Sequence, residues 1–430
     1  MRRATRLWGW LTPVVLATCV TLAVLGRRGH DRYASGPLPH EAYVWQRQWT
    51  AAVREAVAEH GPQFQALVAL AAEVSWDRGQ ARVTRVAWDP AAATPGRWGL
   101  ALRVGPFAGP FAEDDRTARF LGDLAAALVS EARARGAAPA ELQIDFDCAT
   151  AKLDGYRTWV TVLRRRIAPV PLTITVLPSW IGAPGFRRLV RATDGFVLQV
   201  HSLERPAASD PSLFLCDPAA ARRAVAAAAG AGVPFRVALP TYGYTVACRR
   251  DGTFAGLCAE GPAPAWPADA VLREVRADPV AMAELVRDWT VRRPAALTGI
   301  IWYRLPNRND AMNWTWPTLA TVMTGRAPAA DVRSEPRRPE PGLAEVDLLN
   351  AGTGDAAVAC RVVVSWAEGD LLAADALGGF ERAEVGPHSL VLHSSSRGPG
   401  QRLRPGQRRT IAWLRFARDT EVQTHVAPIP

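Results

Sequence analysis

The chain of 430 residues contains a single lysine, Lys152, so arginine carries almost all of its formal net charge of +10. The arginines are spread along the sequence and form no basic stripe. The longest run, Arg164 to Arg166, is typical of the solvated face of a helix. Because nucleic-acid-binding proteins concentrate their positive charge on one surface, the sequence indicates no nucleic-acid partner.

Motifs for metals and dinucleotides are also missing. The sequence has no Cys-x-x-Cys pair and no histidine-rich spacing, which argues against a structural zinc site. No Gly-x-Gly-x-x-Gly fingerprint follows any predicted strand, which disfavours an open doubly wound sheet. We therefore expect no metal and no cofactor.

The N-terminus lacks an Ala-x-Ala cleavage site. The basic segment "MRRATR" precedes an apolar run from Trp8 to Gly26, close to the ~20 residues that span a bilayer. The arginine-containing segment "GRRGH" follows it directly. We interpret residues 1–30 as a membrane anchor or signal segment, which places the rest of the chain outside the cytoplasm, as a membrane-anchored, periplasmic or extracellular protein.

The cysteines suggest one disulfide. Cys248 and Cys258 flank "RRDGTFAGL", whose Asp-Gly is a tight-turn signal, so a bond between them is plausible in an exported protein. Cys216 is an alternative partner for either one.

Short apolar strands alternate with helical segments from about residue 40 to residue 325. The predicted strands are 42–49, 64–76, 97–104, 141–147, 172–180, 195–203, 234–243 and 297–305. Most are separated by segments of helical periodicity, such as "RTARFLGDLAAALVSEARARG". Eight strands alternating with helices over this length predict a (β/α)8 TIM-type barrel.

The pattern changes after the barrel. Residues 326–342, "RAPAADVRSEPRRPEPG", are rich in proline and charge and predict a linker. Residues 343–430 contain short alternating runs broken by Gly, Asp and Ser, such as "CRVVVSWAEG". This spacing predicts a small all-β, sandwich-like C-terminal domain.

Two aspartates stand in the otherwise apolar fourth strand, "ELQIDFDCAT". Because side chains alternate along a strand, Gln143, Asp145 and Asp147 share one face while apolar residues occupy the other. In a barrel the polar face points inward, and Asp147 lies at the carboxyl end of the strand, where the active sites of such barrels are built.

Other strand ends supply related chemistry. Carboxylates among aromatic rings and amides suit sugar binding, and hydrolysis of a glycosidic bond requires a carboxylic acid, usually with a second carboxylate. The predicted catalytic residues are Asp147, Asp145 and Glu73, with Glu204 as another source of the second carboxylate. The predicted substrate-binding residues are Gln199, His201, Tyr242, Trp302, Trp180, Trp76, Arg103 and Arg304; Tyr244 and Tyr303 also lie at strand ends.

Several of these residues have structural alternatives. Asp145, deeper in the barrel, is more readily interpreted as the partner of Arg103 in a buried ion network than as a catalytic group. His201 could contact a ligand or be a satisfied interior histidine. The predicted tryptophans could fill the barrel or stack on sugar rings: Trp76, Trp180 and Trp302.

Four segments carry a resemblance to known families. "LQIDFDCATAKLDGYRTWV", "PLTITVLPSW", "DGFVLQVHSLERP" and "VALPTYGYT", in this order, resemble the bacterial family known as domain of unknown function 3142. The layout resembles more distantly the family 18 chitinases and related glycoside hydrolases. Their fourth strand carries Asp-Gly-x-Asp-x-Asp-x-Glu, and their seventh a Pro-x-Tyr-Gly turn like Pro240 to Gly243.

This sequence departs from the chitinase pattern at the acid. Asp145 and Asp147 match the second and third aspartates of that motif, but Ala149 stands where the acid glutamate belongs. The chitinase mechanism therefore does not transfer. The resemblance implies a glycoside-hydrolase-like protein acting on an envelope or extracellular polysaccharide. The alternatives are a glycan-binding barrel without turnover and an envelope scaffold.

Overall fold

The computed structural model describes residues 32–92, 97–113, 115–202, 213–258, 264–395 and 402–428. The predicted anchor or signal segment, residues 1–30, and Glu204 lie outside these ranges. None of the helices within them has both the length and the apolar character needed to cross a membrane.

Eight parallel strands close into a barrel, which confirms the predicted fold class. In the order of the closed sheet they are β2 (His40–Val44), β3 (Ala66–Asp77), β5 (Trp98–Val104), β6 (Glu141–Phe146), β7 (Leu172–Val176), β8 (Gly195–Gln199), β9 (Phe235–Pro240) and β14 (Leu297–Tyr303). Strand β2 pairs with both β3 and β14 and so closes the ring. It ends at Val44 and not at the predicted Trp49, because the chain turns there towards the first helix.

In the described part of the chain, seven α-helices accompany the strands. They are α1 (Ala51–His60), α2 (Arg116–Ala134), α3 (Leu153–Ile167), α4 (Pro184–Arg191), α5 (Pro218–Ala228), α6 (Pro279–Val291) and α7 (Trp316–Met323). The carboxylates of Asp217 and Asp278 accept backbone N–H bonds at the starts of α5 and α6, each with proline as the first helical residue. Such caps fix where these helices begin.

The described residues between β3 and β5 form a hairpin where an α-helix would be expected. Strand β4 (Gln80–Arg85) runs antiparallel to the extended end of β3. Arg78 and Gly79 at the turn both have positive φ, of 49° and 79°. Two consecutive positive φ values are the signature of a type I′ hairpin turn.

A small antiparallel sheet follows β9, formed by β10 (Gly243–Cys248), β11 (Phe254–Cys258) and β12 (Val271–Arg276). Its register overturns the predicted disulfide. Cys248 lies opposite Phe254 and Cys258 lies opposite Thr245, so the two cysteines are offset by three residues, about 10 Å along the strands. A disulfide needs Cα atoms within about 7 Å, and Cys248 is a free thiol. A two-residue pairing of β1 (Tyr33–Ala34) with β13 (Arg293–Pro294) also borders the barrel.

Charged residues fill the amino-terminal end of the barrel, which we call the barrel floor (Glu41, Glu141 and Arg236). The Arg236 guanidinium donates to both oxygens of Glu141, at 2.6 and 2.7 Å, and also to Glu41. Burial alone would raise the pKa of both carboxyl groups. The two-pronged contact with Arg236 holds the pKa of Glu141 below its usual value, whereas that of Glu41 stays raised. Above the floor, Gln143 donates to Glu141 and accepts from the Tyr43 hydroxyl, both at 2.7 Å.

The C-terminal part consists of antiparallel sheets around a separate apolar core. One sheet contains β15 (Val332–Glu340), β16 (Leu343–Asn350), β23 (Arg408–Phe416) and β19 (Leu371–Ala376). The other contains β20 (Phe380–Gly386), β21 (Ser389–Ser394), β18 (Cys360–Trp366) and β24 (Val422–Pro428). The strands β17 (Ala356–Ala357) and β22 (Arg402–Leu403) form a short pair.

The first of these strands corrects the linker prediction. Residues 332–340 pair with β16 and do not form a linker, despite prolines at 336 and 339. Strand β15 is an edge strand, where a missing N–H costs no ladder hydrogen bond, so proline is tolerated. Of the predicted linker 326–342, only 326–331 precede the sheet.

Asn350 connects the loops at one end of this sandwich. It is fully buried; its side-chain amide donates to the carbonyls of Gly354 and Leu403 at 2.8 and 2.9 Å, and its oxygen accepts from the backbone N–H of Gly352 at 3.0 Å. We expect Asn350→Ala to destabilise the sandwich by about 2–3 kcal/mol, because buried partners lose their hydrogen bonds. The measurement is amide hydrogen exchange in β16 and β23, which should accelerate, whereas Asn309→Ala in an exposed loop should leave it unchanged. Equal exchange in both variants would contradict this role.

Candidate functional site

The barrel opens at the carboxyl ends of its strands into a cavity of about 260 Å³. Its volume lies just below the roughly 300–1,000 Å³ of pockets for drug-sized ligands, which suits a small unit such as a sugar residue. The cavity is lined by Tyr43, Trp45, Arg103, Asp145, Asp147, Thr175, Gln199, His201, Ser202, Ala238, Tyr242, Tyr244 and Tyr303. It therefore contains six of the predicted site residues: Asp145, Asp147, Arg103, Gln199, His201 and Tyr242.

The two aspartates of β6 and the turn after it differ in environment. The side chain of Asp145 is 17% exposed and accepts a 2.8 Å hydrogen bond from the Thr175 hydroxyl. Burial, and secondly repulsion from Asp147, raise the pKa of Asp145 to about 6. Asp147 is exposed and makes no ion pair with any residue in the described ranges. The site thus combines a buried carboxyl group that keeps its proton up to about pH 6 with an exposed one.

Glu73 is bound between two arginines at the edge of this site. Arg47 donates to both of its oxygens, and Nη1 of Arg103 lies 3.6 Å from Oε1. Arg103 also approaches Asp145, with Nε 3.9 Å from Oδ2. Since one guanidinium lies between Glu73 and Asp145, these carboxylates are at most about 10 Å apart, the outer limit for paired glycosidase carboxyl groups. The predicted ion contact between Asp145 and Arg103 is present, but at 3.9 Å it is loose.

His201 lies deep in the cavity with an unsatisfied nitrogen. Its Nδ1 is 3.2 Å from the Tyr242 hydroxyl, and its ring stacks on Tyr303 with centroids 5.4 Å apart. Nε2 is buried and has no hydrogen-bond partner within the described part of the chain. Burial lowers the pKa of His201 to about 3, so the imidazole is neutral at physiological pH. Gln199 donates to the His201 carbonyl at 3.3 Å.

An aromatic wall, formed by Tyr43, Trp45, Tyr242, Tyr244 and Tyr303, completes the cavity. The Tyr303 ring lies 5.3–5.8 Å from the rings of Tyr43, Trp45 and Tyr242, in edge-to-face arrangements. Tyr43 and Trp45 are not among the site residues predicted from the sequence. Both residues lie at the carboxyl end of the first barrel strand, which would have indicated a site position. The predicted strand, 42–49, extends past this end and so hides it.

Two of the predicted tryptophans belong to the core and not to the cavity. Trp302 is 0% exposed; its indole N–H donates to His40 and its ring packs on Trp314. It points outward from β14 because Tyr303, the next residue, points inward. Trp180, 1% exposed, packs edge-on against Tyr156. These placements correct the prediction that both tryptophans contact a ligand.

Trp76 and Arg304 also lie outside the cavity lining. Trp76 stands on the extension of β3 beyond the barrel and packs on Phe107, with centroids 4.7 Å apart. Arg304 is 5% exposed and donates to the Asp310 carboxylate, while Arg404 of the sandwich donates to the Asp310 carbonyl at 3.1 Å. Arg304 therefore anchors the loop after β14 to the C-terminal sheets.

The described residues contain no cluster of three or more His, Cys, Asp or Glu side chains arranged for a metal ion.

Two family matches cover much of the chain. Residues 108–308 match the family described as Domain of unknown function (DUF3142), which confirms the resemblance drawn from the sequence. Residues 333–417 match a second family, Domain of unknown function (DUF8456), and this match includes strand β15. Comparison with curated protein sequences gives no significant match.

Among solved structures, similar folds occur in bacterial glycosidases. The spore cortex-lytic enzyme SleL of Bacillus cereus aligns with a TM-score of 0.47 at 12% identity over 68% of this chain and 75% of its own. The chitinase ChiA74 of Bacillus thuringiensis aligns with a TM-score of 0.43 at 10% identity, over 91% of this chain and 100% of its own. The chitinase ChiB of Flavobacterium johnsoniae aligns with a TM-score of 0.43 at 11% identity, over 63% of this chain and 89% of its own. At such identities the similarity is one of fold.

Proposed function

We propose that this protein is a glycoside hydrolase whose active site is the cavity at the carboxyl end of the barrel. The observation that carries the proposal is the pairing of Asp145, buried with a pKa of about 6, and the exposed Asp147 within one cavity lined by aromatic and amide side chains. A carboxyl group with a raised pKa beside a second carboxyl group is typical of the general acid of glycoside hydrolases. The substrate class we propose is an envelope or extracellular polysaccharide.

The two aspartates have different roles in the proposed reaction. Asp145, protonated below pH 6, donates its proton to the leaving glycosidic oxygen as the bond to the anomeric carbon breaks. The open carboxylate of Asp147 faces the positive charge that develops at that carbon. Water supplies the hydroxyl group to the anomeric carbon, and its remaining proton returns to the carboxylate pair. General acid catalysis of this kind contributes about 10²–10⁴-fold.

The remaining polar groups position the sugar. Glu73 is neutralised by Arg47 and Arg103, so we assign it to orienting Arg103 and not to the reaction itself. Gln199 and His201 offer neutral hydrogen-bonding groups for hydroxyls. The aromatic wall provides apolar faces for the C–H groups of a sugar ring.

One structural feature bears on each of the two alternative functions, an envelope scaffold and a glycan-binding barrel. The open cavity argues against a pure envelope scaffold, for which a filled barrel mouth is expected. A glycan-binding barrel without turnover is favoured by Ala149, which stands exposed where the chitinase motif carries its acid. We also propose that residues 1–30 export or tether the protein, with residues 40–325 as the catalytic barrel.

The test is release of reducing sugar from a panel of bacterial and fungal polysaccharides by the full-length protein. We expect turnover by the wild type and its loss, by 100-fold or more, in Asp147→Asn. The matched control is Asp123→Asn, another exposed aspartate, which lies on α2 outside the cavity and pairs with Arg166. No turnover by the wild type, or undiminished turnover in Asp147→Asn, would reject the proposal; glycan retention without turnover would support the binding barrel.

A further inference from the structure

The described side chains of the cavity and its edge carry one net negative charge at neutral pH. Three carboxylates, from Glu73, Asp145 and Asp147, face two guanidinium groups, from Arg47 and Arg103. Both arginines contact Glu73, and Arg103 also approaches Asp145 at 3.9 Å, so among the described residues the carboxylate without an ion pair is Asp147. A cavity of this sign attracts cationic ligands and repels anionic ones.

The aromatic wall also favours a cationic ligand over an anionic one. The faces of tyrosine and tryptophan rings are negative, and they attract an ammonium group within about 6 Å but not a carboxylate. His201, which stacks on this wall, adds no positive charge because its imidazole is neutral. None of the described side chains that form the aromatic wall would oppose a cation.

The unsatisfied nitrogen of His201 offers a hydrogen-bonding position to a polar ligand in the cavity. The residue is 4% exposed, and Nε2 lacks a partner among the described residues. A buried polar atom without a hydrogen bond costs about 1–3 kcal/mol, so such atoms usually have a partner in the functional state. A hydroxyl group of a bound sugar would supply this bond.

We infer that the cavity selects a sugar with a free amino group, a hexosamine unit, over its N-acetylated counterpart and over a uronic acid. The ammonium group lies between the aromatic wall and the carboxylates of Asp145 and Asp147, while His201 Nε2 bonds to a hydroxyl. Acetylation removes the positive charge and so removes the attraction. The inference rests on the proposed function for its substrate, although ligand selection is measurable without turnover.

The test is isothermal titration of the full-length protein with three disaccharides at pH 7: diglucosamine, its N,N′-diacetyl form and digalacturonic acid. We expect diglucosamine to bind with about tenfold lower Kd than the diacetyl form, which corresponds to about 1.4 kcal/mol. Digalacturonic acid should bind weakest.

Three variants test the assigned contacts. Asp147→Asn should bring the Kd ratio of the diacetyl and amino forms close to one, whereas Asp123→Asn should leave it unchanged. His201→Ala should weaken binding of both forms equally, because its bond is to a hydroxyl they share.

The outcomes separate this inference from the hydrolase proposal. Equal or tighter binding of the diacetyl form, or no binding of any disaccharide, would overturn the inference; turnover of N-acetylated chains would still leave the hydrolase intact. Selective binding of diglucosamine without turnover of any amino polysaccharide would support the inference and reject the hydrolase.

Discussion

Asp145→Asn should stabilise the folded protein at pH 8 by about 2–3 kcal/mol and abolish turnover. The reason is that burial raises the pKa of Asp145 in the folded state to about 6, above its usual value of 3.8. The folded state therefore binds the proton more tightly, and the wild type loses stability as pH rises from about 4 to about 6. Asparagine avoids this loss because it stays neutral, and its oxygen can still accept the Thr175 hydrogen bond. At one pKa unit per ~1.4 kcal/mol, the two-unit shift gives the stated size.

The measurement is urea unfolding of both proteins between pH 3.5 and pH 8. The difference in free energy of unfolding should be near zero at pH 3.5, grow between pH 4 and 6, and then stay constant. Asp123→Asn, at an exposed position on α2, serves as the surface control in the same series. A pH-independent difference for Asp145→Asn would contradict the raised pKa, and retained turnover would remove Asp145 from the reaction. Gain of stability with loss of activity is typical of a residue kept for function.

Arg236→Met should destabilise the protein by about 3–5 kcal/mol. The variant leaves Glu41 and Glu141, whose side chains are only 11% and 12% exposed, without their shared cation. Removing one partner of a buried ion pair costs this much because the remaining charge is uncompensated. Urea unfolding at pH 7 measures the loss.

A triple variant separates charge from packing at the barrel floor. Arg236→Met combined with Glu41→Gln and Glu141→Gln should recover most of the stability, since no buried charge remains. The surface control is Arg166→Gln, whose pair with Asp123 is exposed on both sides and should change stability by less than about 1 kcal/mol. If the triple variant is no more stable than Arg236→Met, the loss comes from packing and not from charge.

The eight barrel strands were predictable because each is a compact apolar run, and the runs alternate with helical periodicity. The hairpin of β4 was not predicted, because it depends on Arg78 adopting a positive φ beside Gly79. Strand β15 was mistaken for a linker, since its prolines and charges match a linker composition and only pairing with β16 makes it a strand. Cys248 and Cys258 were paired by proximity in sequence, whereas the bulged register of β10 and β11 offsets them.

At the site, alternation along β6 correctly placed Asp145 and Asp147 on the inner face. Side chains also alternate along β14, but the sequence does not show which alternate residues face the barrel interior. Pairing with β9 and β2 decides this, and it places Tyr303 inside and Trp302 outside. Tyr43 and Trp45 come from the first strand and meet Tyr303 of the last one, a contact that exists only once the barrel closes.

The sequence by itself determined the barrel, the following β domain and the aspartate pair, because these depend on periodicity and composition within short segments. The tertiary structure alone decided which aromatic rings line the cavity, that Glu73 is neutralised by two arginines, and that Asp145 holds a proton near pH 6. These properties arise from burial and from charges on strands that are far apart in the chain. A pattern within a short segment of sequence contains no information about such contacts.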